Sequence, residues 1–161
     1  IELIFNSAAS APDHGNLSPW RFIQIPIHKR PLLADAFGHA LLERDPSASI
    51  EDVSTAKQKA FNSPFIAVSV IDHSLESKGI SNYEKLISLG CAIQNILISC
   101  TSLGYGSGLT SGRAMNSNSM RNLFNLNENE VCVCFINIGT KSKDSKISRI
   151  RPALSKYLSS L

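Results

Sequence analysis

The 161-residue sequence has no run of five like charges, and its 16 Lys+Arg against 13 Asp+Glu leave a net charge of only +3. Nucleic-acid binding therefore has no electrostatic footprint, although a small anionic ligand is compatible with the balance. No Gly-Lys-Ser/Thr follows a glycine-rich turn, so a phosphate-cradling P-loop is excluded, and no Gly-x-Ser-x-Gly elbow supports a serine hydrolase. His28, His39 and His73 have no Cys, Asp or Glu at recurring metal-ligand spacing, and no carboxylate pair stands out. What chemistry remains must come from a borrowed group: an enzyme built from these residues takes its reactivity from a cofactor. Internal repeats and linkers are also missing, so 1–161 reads as a single domain, long enough to bury roughly 70% of its unfolded surface without staples.

The four cysteines do not make a framework. Cys132 and Cys134 sit two apart in an apolar run, a spacing that puts both thiols on one face of a strand without the geometry of a good bridge. Cys91 and Cys100, nine residues apart in a helical pattern, point about 180° from each other at ~100° per residue. All four are expected as buried free thiols, which implies a reducing, cytoplasmic compartment. No basic leader with a cleavage site is present at the start. The opening IELIFNSAAS is already apolar on one helical face with no start signal ahead of it, so residues upstream of Ile1 are expected.

After that helix comes a polar loop, 11–19, and then WRFIQIPI, a strand that Pro26 makes short or places at an edge. Segments 31–44 and 50–62 have helical spacing, and FIAVSVI after Pro64 reads as a central strand buried on both faces. The longest pattern, from Asn82 through Leu103, is a helix apolar nearly all round. Gln94, Asn95 and its serines argue against a membrane span, and for a helix covered on both sides by core or by a partner subunit. Gly104 stops it. A short helix at 117–123 and a strand at 131–139 complete an α+β order.

Two segments carry polar or glycine-rich chemistry. Gly104, Gly106, Gly108 and Gly112 follow the long helix, and serve either as a helix stop and turn or as a loop where backbone approaches a flat ligand closely. Asp13 to Arg21 is the densest run of donors and acceptors beside an aromatic, and Asn16 offers both a carbonyl and an amide to a heteroaromatic edge.

Those residues resemble a known family. APDHGNLSPWRF is similar to the loop of nitroreductase-family flavoproteins, in which Ala-Pro-Ser-x-x-Asn-x-Gln-Pro-Trp-Arg-Phe follows a helix, and its His14 resembles the small YdjA-like branch. NSPFIAVSV, SLGCAIQNIL and SLGYGSGLTSG resemble, in the same order, that branch's central strand, long buried helix and glycine loop. The resemblance implies an α+β fold with a central mixed, mainly antiparallel sheet flanked by helices. It also implies an obligate homodimer with FMN at the subunit interface. NADH or NADPH would reduce the flavin, which passes electrons to a nitroaromatic, quinone or similar small-molecule acceptor. By the same resemblance Ser10, His14, Asn16, Leu109, Thr110 and Ser111 are cofactor-binding positions, and 99–104 is the nicotinamide stretch. Catalytic side chains, metal, nucleic acid and membrane are not part of that picture.

The sequence departs from the branch at Ser10, where an arginine is usual, and at Leu109-Thr110-Ser111-Gly112, where Trp-Arg-Ser-Gly is usual. The family's phosphate-binding Arg-Arg-Ser would lie upstream of Ile1. Arg149 and Arg151 in the tail are either solvated surface residues, the more ordinary reading, or a source of replacement charge. The lost arginines also motivate an alternative, a nitroreductase-fold dimer with weakened or lost flavin binding that acts as a ligand-binding or structural protein. A further option keeps flavin for another reaction, such as dehydrogenation or dehalogenation.

Overall fold

A computed structural model describes residues 1–74, 79–141 and 150–161. Four strands form one sheet in the order β1 (Trp20–Gln24), β2 (Phe65–Asp72), β4 (Glu130–Thr140) and β3 (Tyr105–Thr110), and every pairing is antiparallel. β2 and β4 are central, which explains why FIAVSVI is a nearly unbroken apolar run: both of its faces are covered. β1 is both short and at an edge, ending at Gln24, two residues before Pro26.

Helices cover both faces. On one, α2 (Arg30–Arg44), α3 (Ile50–Gln58) and α5 (Asn118–Leu123) enclose a core of Leu33, Ile66, Val68, Val70, Met120 and Phe135. On the other, α1 (Glu2–Asn6) and α4 (Asn82–Ser102) enclose Ile4, Ile71, Leu89, Ile93, Ile96 and Ile136. Capping boxes start α3 and α4, with Ser49 answering Asp52 and Ser81 answering Glu84.

A buried arginine ties the first core together. Arg30 is 1% exposed at the start of α2 and donates from its guanidinium to the carbonyls of Ile25, Ala60 and Pro64, at 2.8, 2.9 and 3.3 Å. These carbonyls end β1, close the turn after α3 and precede β2, so one side chain joins three chain segments.

Two sequence expectations about cysteine are corrected. Ser69 pairs with Cys134 and Val70 with Cys132, so Val133 is an extra residue in β4. This bulge breaks the alternation, and Cys132 packs into the α2 side of the sheet while Cys134 packs into the α4 side. The Ser69 hydroxyl fills the irregularity: it donates to the Cys134 carbonyl at 3.0 Å and accepts from the Cys134 N–H at 3.1 Å. Cys91 is half-buried rather than buried; all four thiols are free. Burial raises the Cys132 thiol to about 11, which leaves it protonated and inert.

The helix α4 is long and apolar enough to cross a membrane by length and composition alone. Its Leu89, Ile93, Ile96 and Cys100 pack instead onto the sheet. The opposite stripe is uncovered among the described residues: Tyr83, Ile87 and Ile98 are 80%, 63% and 53% exposed. At positions 83, 87, 91, 94 and 98 the spacing keeps one face, about 22 Å long at 1.5 Å per residue.

Candidate functional site

The polar loop begins where the 3₁₀ turn Ser7–Ser10 ends, with Ser10 exposed. Asp13 closes it, its carboxylate accepting the Ser18 N–H at 2.6 Å. Within the loop Gly15, Asn16 and Ser18 take the left-handed region, at φ of 75°, 52° and 46°. Glycine is favoured at 15 by its φ, whereas a Cβ there would meet at 2.8 Å only the tip of the Ile80 side chain, which can turn aside. The segment that follows is anchored to α4 and β4: the Trp20 indole N–H donates to Ser88 at 3.0 Å, and Arg21 forms a paired contact with Glu130 at 2.6 and 3.0 Å.

His14 is held from outside the loop. Its Nδ1 lies 2.9 Å from the Glu84 carboxylate, which accepts only, so Nδ1 carries the proton and Nε2 is left for another partner. Glu84 is held at about 2, below its ordinary 4.5, by the Ser81 backbone N–H first, then by His14 and the Ser81 hydroxyl. A depressed carboxylate stabilises the fold fully above 4.5 and loses that contribution as pH falls toward 2. The expected result is that Glu84→Gln is less stable than the wild type at neutral pH. That deficit should disappear between pH 4.5 and 2 in acid-unfolding profiles, and a deficit independent of pH would count against this assignment.

The glycine-rich segment expected as a loop is the edge strand β3, paired with β4 from Tyr105 opposite Thr140 to Thr110 opposite Phe135. Alternation puts Leu109 and Thr110 on opposite faces. Thr110 and Ser111 line a cleft of about 810 Å³ beside α2, α3 and β4, whereas Leu109 does not. The Thr110 hydroxyl is fixed there, accepting from the Asn137 amide at 3.0 Å. The cleft floor is apolar, with Leu33, Phe37, Ile66 and Phe135, and its rim carries Asn62, Lys59 and Arg113.

The structure therefore gathers the expected positions into two groups and does not join them. His14 and Asn16 lie with β1 and the start of α4, while Leu109, Thr110 and Ser111 lie at the other edge, with β2 and β4 between. Three strand spacings separate the edges, roughly 14 Å. Of the nicotinamide stretch, Cys100 is buried and 101–104 are exposed. Arg149 lies outside the described residues, and Arg151 is exposed. Sequence reasoning missed Glu84, although Ser81-x-x-Glu84 is a readable capping box. Lys59 and Arg113 at the cleft rim carry no local pattern that distinguishes them from other surface cations.

Comparison with known proteins places this arrangement. A Haemophilus influenzae protein described as "Putative NAD(P)H nitroreductase" is 28% identical over 142 residues, 87% of this chain and 75% of that protein. The Escherichia coli K12 protein described as "Putative NAD(P)H nitroreductase YdjA" is 29% identical over 143 residues, with the same shares of each. The crystal structure of a nitroreductase-like family protein from Bacillus cereus superposes with a TM-score of 0.83 at 17% identity, over 99% of this chain and 82% of that one. The FMN and NADPH-dependent nitroreductase NfnB from a sphigopyxis strain gives 0.77 at 14% identity, over 99% and 87%. With the sequence model of the Nitroreductase family matching residues 1–140, the chain belongs to the nitroreductase family and has its α+β fold.

Proposed function

We propose that this chain is an FMN-dependent oxidoreductase that takes electrons from NADH or NADPH and delivers them to a nitroaromatic, quinone or similar acceptor. It works as a cytoplasmic homodimer. The observation that carries the reading is the division of the site. His14 and Asn16 stand at one edge of the sheet and Thr110 and Ser111 at the other, with β2 and β4 between, and on this reading a ligand that meets both groups takes them from two copies. The exposed stripe of Tyr83, Ile87 and Ile98 along α4 supplies an apolar surface for that pairing.

The residues present fit a flavin. A cleft of about 810 Å³ lies within the roughly 300–1,000 Å³ typical of ligand sites, with an apolar floor for a flat ring and polar groups at its rim. When bound, FMN supplies the hydride acceptance and electron delivery that no side chain here offers. The protein's own part is binding and orientation. Glu84 fixes the His14 ring so that Nε2 is presented outward, Asn16 presents a donor and an acceptor, and Asn137 holds Thr110 against the cleft. No side chain has to move a proton, which agrees with the lack of a carboxylate pair or serine elbow.

Purified full-length protein is expected to be a yellow dimer whose flavin absorbance bleaches on anaerobic addition of NADPH or NADH. A colourless dimer that ignores added FMN would overturn the reading. That outcome would favour a nitroreductase-fold dimer without redox function, the alternative raised by Ser10 and Thr110 in place of arginines.

A further inference from the structure

We propose that Glu43, which does not itself line the cleft, sets the spacing between two of the cleft's walls and so positions the groups that meet the flavin ring. The inference rests on the flavin reading above and names a positioning residue for that site.

One wall of the cleft belongs to α2, through Leu33, Phe37 and Leu41, and another is the segment 110–115 that leaves β3. Glu43 lies on α2 two residues beyond Leu41. Its carboxylate accepts from the backbone N–H groups of Asn118 and Ser119, each at 3.0 Å, and from the Ser119 hydroxyl. These are the first two residues of α5, whose third N–H, that of Met120, is met at 3.2 Å by the Ser117 hydroxyl. Glu43 thus satisfies donors that this short helix cannot satisfy itself, and its negative charge suits a helix start. The Ser119 hydroxyl first, and then the two N–H groups, hold its carboxyl below the ordinary value, so it is ionised at neutral pH.

The 3₁₀ turn between β3 and α5, Arg113–Asn116, is tied to the start of α5. The Ser117 N–H and hydroxyl both donate to the Ala114 carbonyl, at 3.1 and 2.8 Å, and the Met115 N–H donates to the Gly112 carbonyl at 3.1 Å. Residues 112–119 are therefore one bonded unit, and Thr110 and Ser111 run directly into it. Among the described residues, the side-chain hydrogen bonds from α2 to this unit are those of Glu43. Met115 and Met120 also pack into the core beside α2, but apolar contact is non-directional, whereas the hydrogen bonds fix where the unit sits along the helix. The far end of α5 is held independently, by Arg121 donating to the carbonyls of Glu130 and Asn127 at 3.0 and 2.5 Å. Losing Glu43 frees the end of α5 next to the cleft and leaves the other end anchored.

The test titrates the full chain with FMN and with riboflavin, which share the ring, by flavin fluorescence well below the melting temperature of each variant. Glu43→Ala should weaken both flavins about tenfold, and in equal proportion because the change is to the ring site. Glu43→Gln keeps one acceptor oxygen and should lose about threefold, which decides the question alone if the alanine variant does not fold. Arg121→Met loosens the far end of α5, so it should lower the melting temperature and leave both affinities within about twofold. If wild type binds flavin and the Glu43 variants bind it equally well, Glu43 is a helix cap only; the proposal is then wrong while the flavin reading stands. Equal weakening by Arg121→Met also overturns it, because any loosening of α5 then suffices. If wild type binds neither flavin, both readings fall together.

Discussion

Replacing Arg30 by methionine is expected to lower the unfolding free energy by about 3–5 kcal/mol. Methionine fills part of the volume but leaves the carbonyls of Ile25, Ala60 and Pro64 buried without their donor. Each such orphan costs roughly 1–3 kcal/mol, and water has little access at a residue 1% exposed. Arg30→Lys separates charge from geometry. A lysine keeps the cation yet presents a compact ammonium in place of a planar fork, so it should recover only part of the loss. Urea unfolding at fixed protein concentration, with unchanged m-values, measures both variants. A methionine variant within about 1 kcal/mol of wild type would mean that these carbonyls find other donors.

Arg30 also marks the boundary of what the sequence makes legible. The strand β2 and the helix α2 could be read because their signals are local: an apolar run after Pro64, and helical spacing after Pro31. The partners of Arg30 lie 5, 30 and 34 residues away, and no pattern within one element announces them. The bulge at Val133 is hidden for the same reason, since the hydroxyl that accommodates it belongs to Ser69 on another strand. Alternation rules assume perfect register, and one inserted residue sends Cys134 to the opposite face from Cys132.

The glycine segment shows a different limit. Gly106 and Gly108 at period two fit a strand as well as a turn, and glycine has low strand propensity. Pairing with β4 decides the matter, because that strand would otherwise leave a row of backbone groups unsatisfied beyond Phe135. The polar loop was legible as a candidate ligand surface from its composition. Its distance from Thr110 was not, because strand order is a property of the assembled sheet.

If the chain pairs through α4 and binds flavin as proposed, glutamate at both Ile87 and Ile98 is expected to give a folded monomer stripped of flavin. Both side chains are more than half exposed in the single chain, and α4 is otherwise packed through Leu89, Ile93 and Ile96, so neither change touches the core. In a dimer that buries this stripe, each new carboxylate is desolvated without a partner at a cost of several kcal/mol. At 1.4 kcal/mol per decade, a combined cost of about 4 kcal/mol or more weakens the dimer at least a thousandfold. Ile50→Glu is the control, because Ile50 is also exposed but opens α3 on the other side of the sheet. Light scattering after size exclusion reads the oligomer, and absorbance reads the flavin. A folded double variant that stays dimeric would remove α4 from the interface. A monomer that keeps its flavin would leave the interface in place but show that one copy suffices to bind the ring, against a site divided between His14 of one subunit and Thr110 of the other.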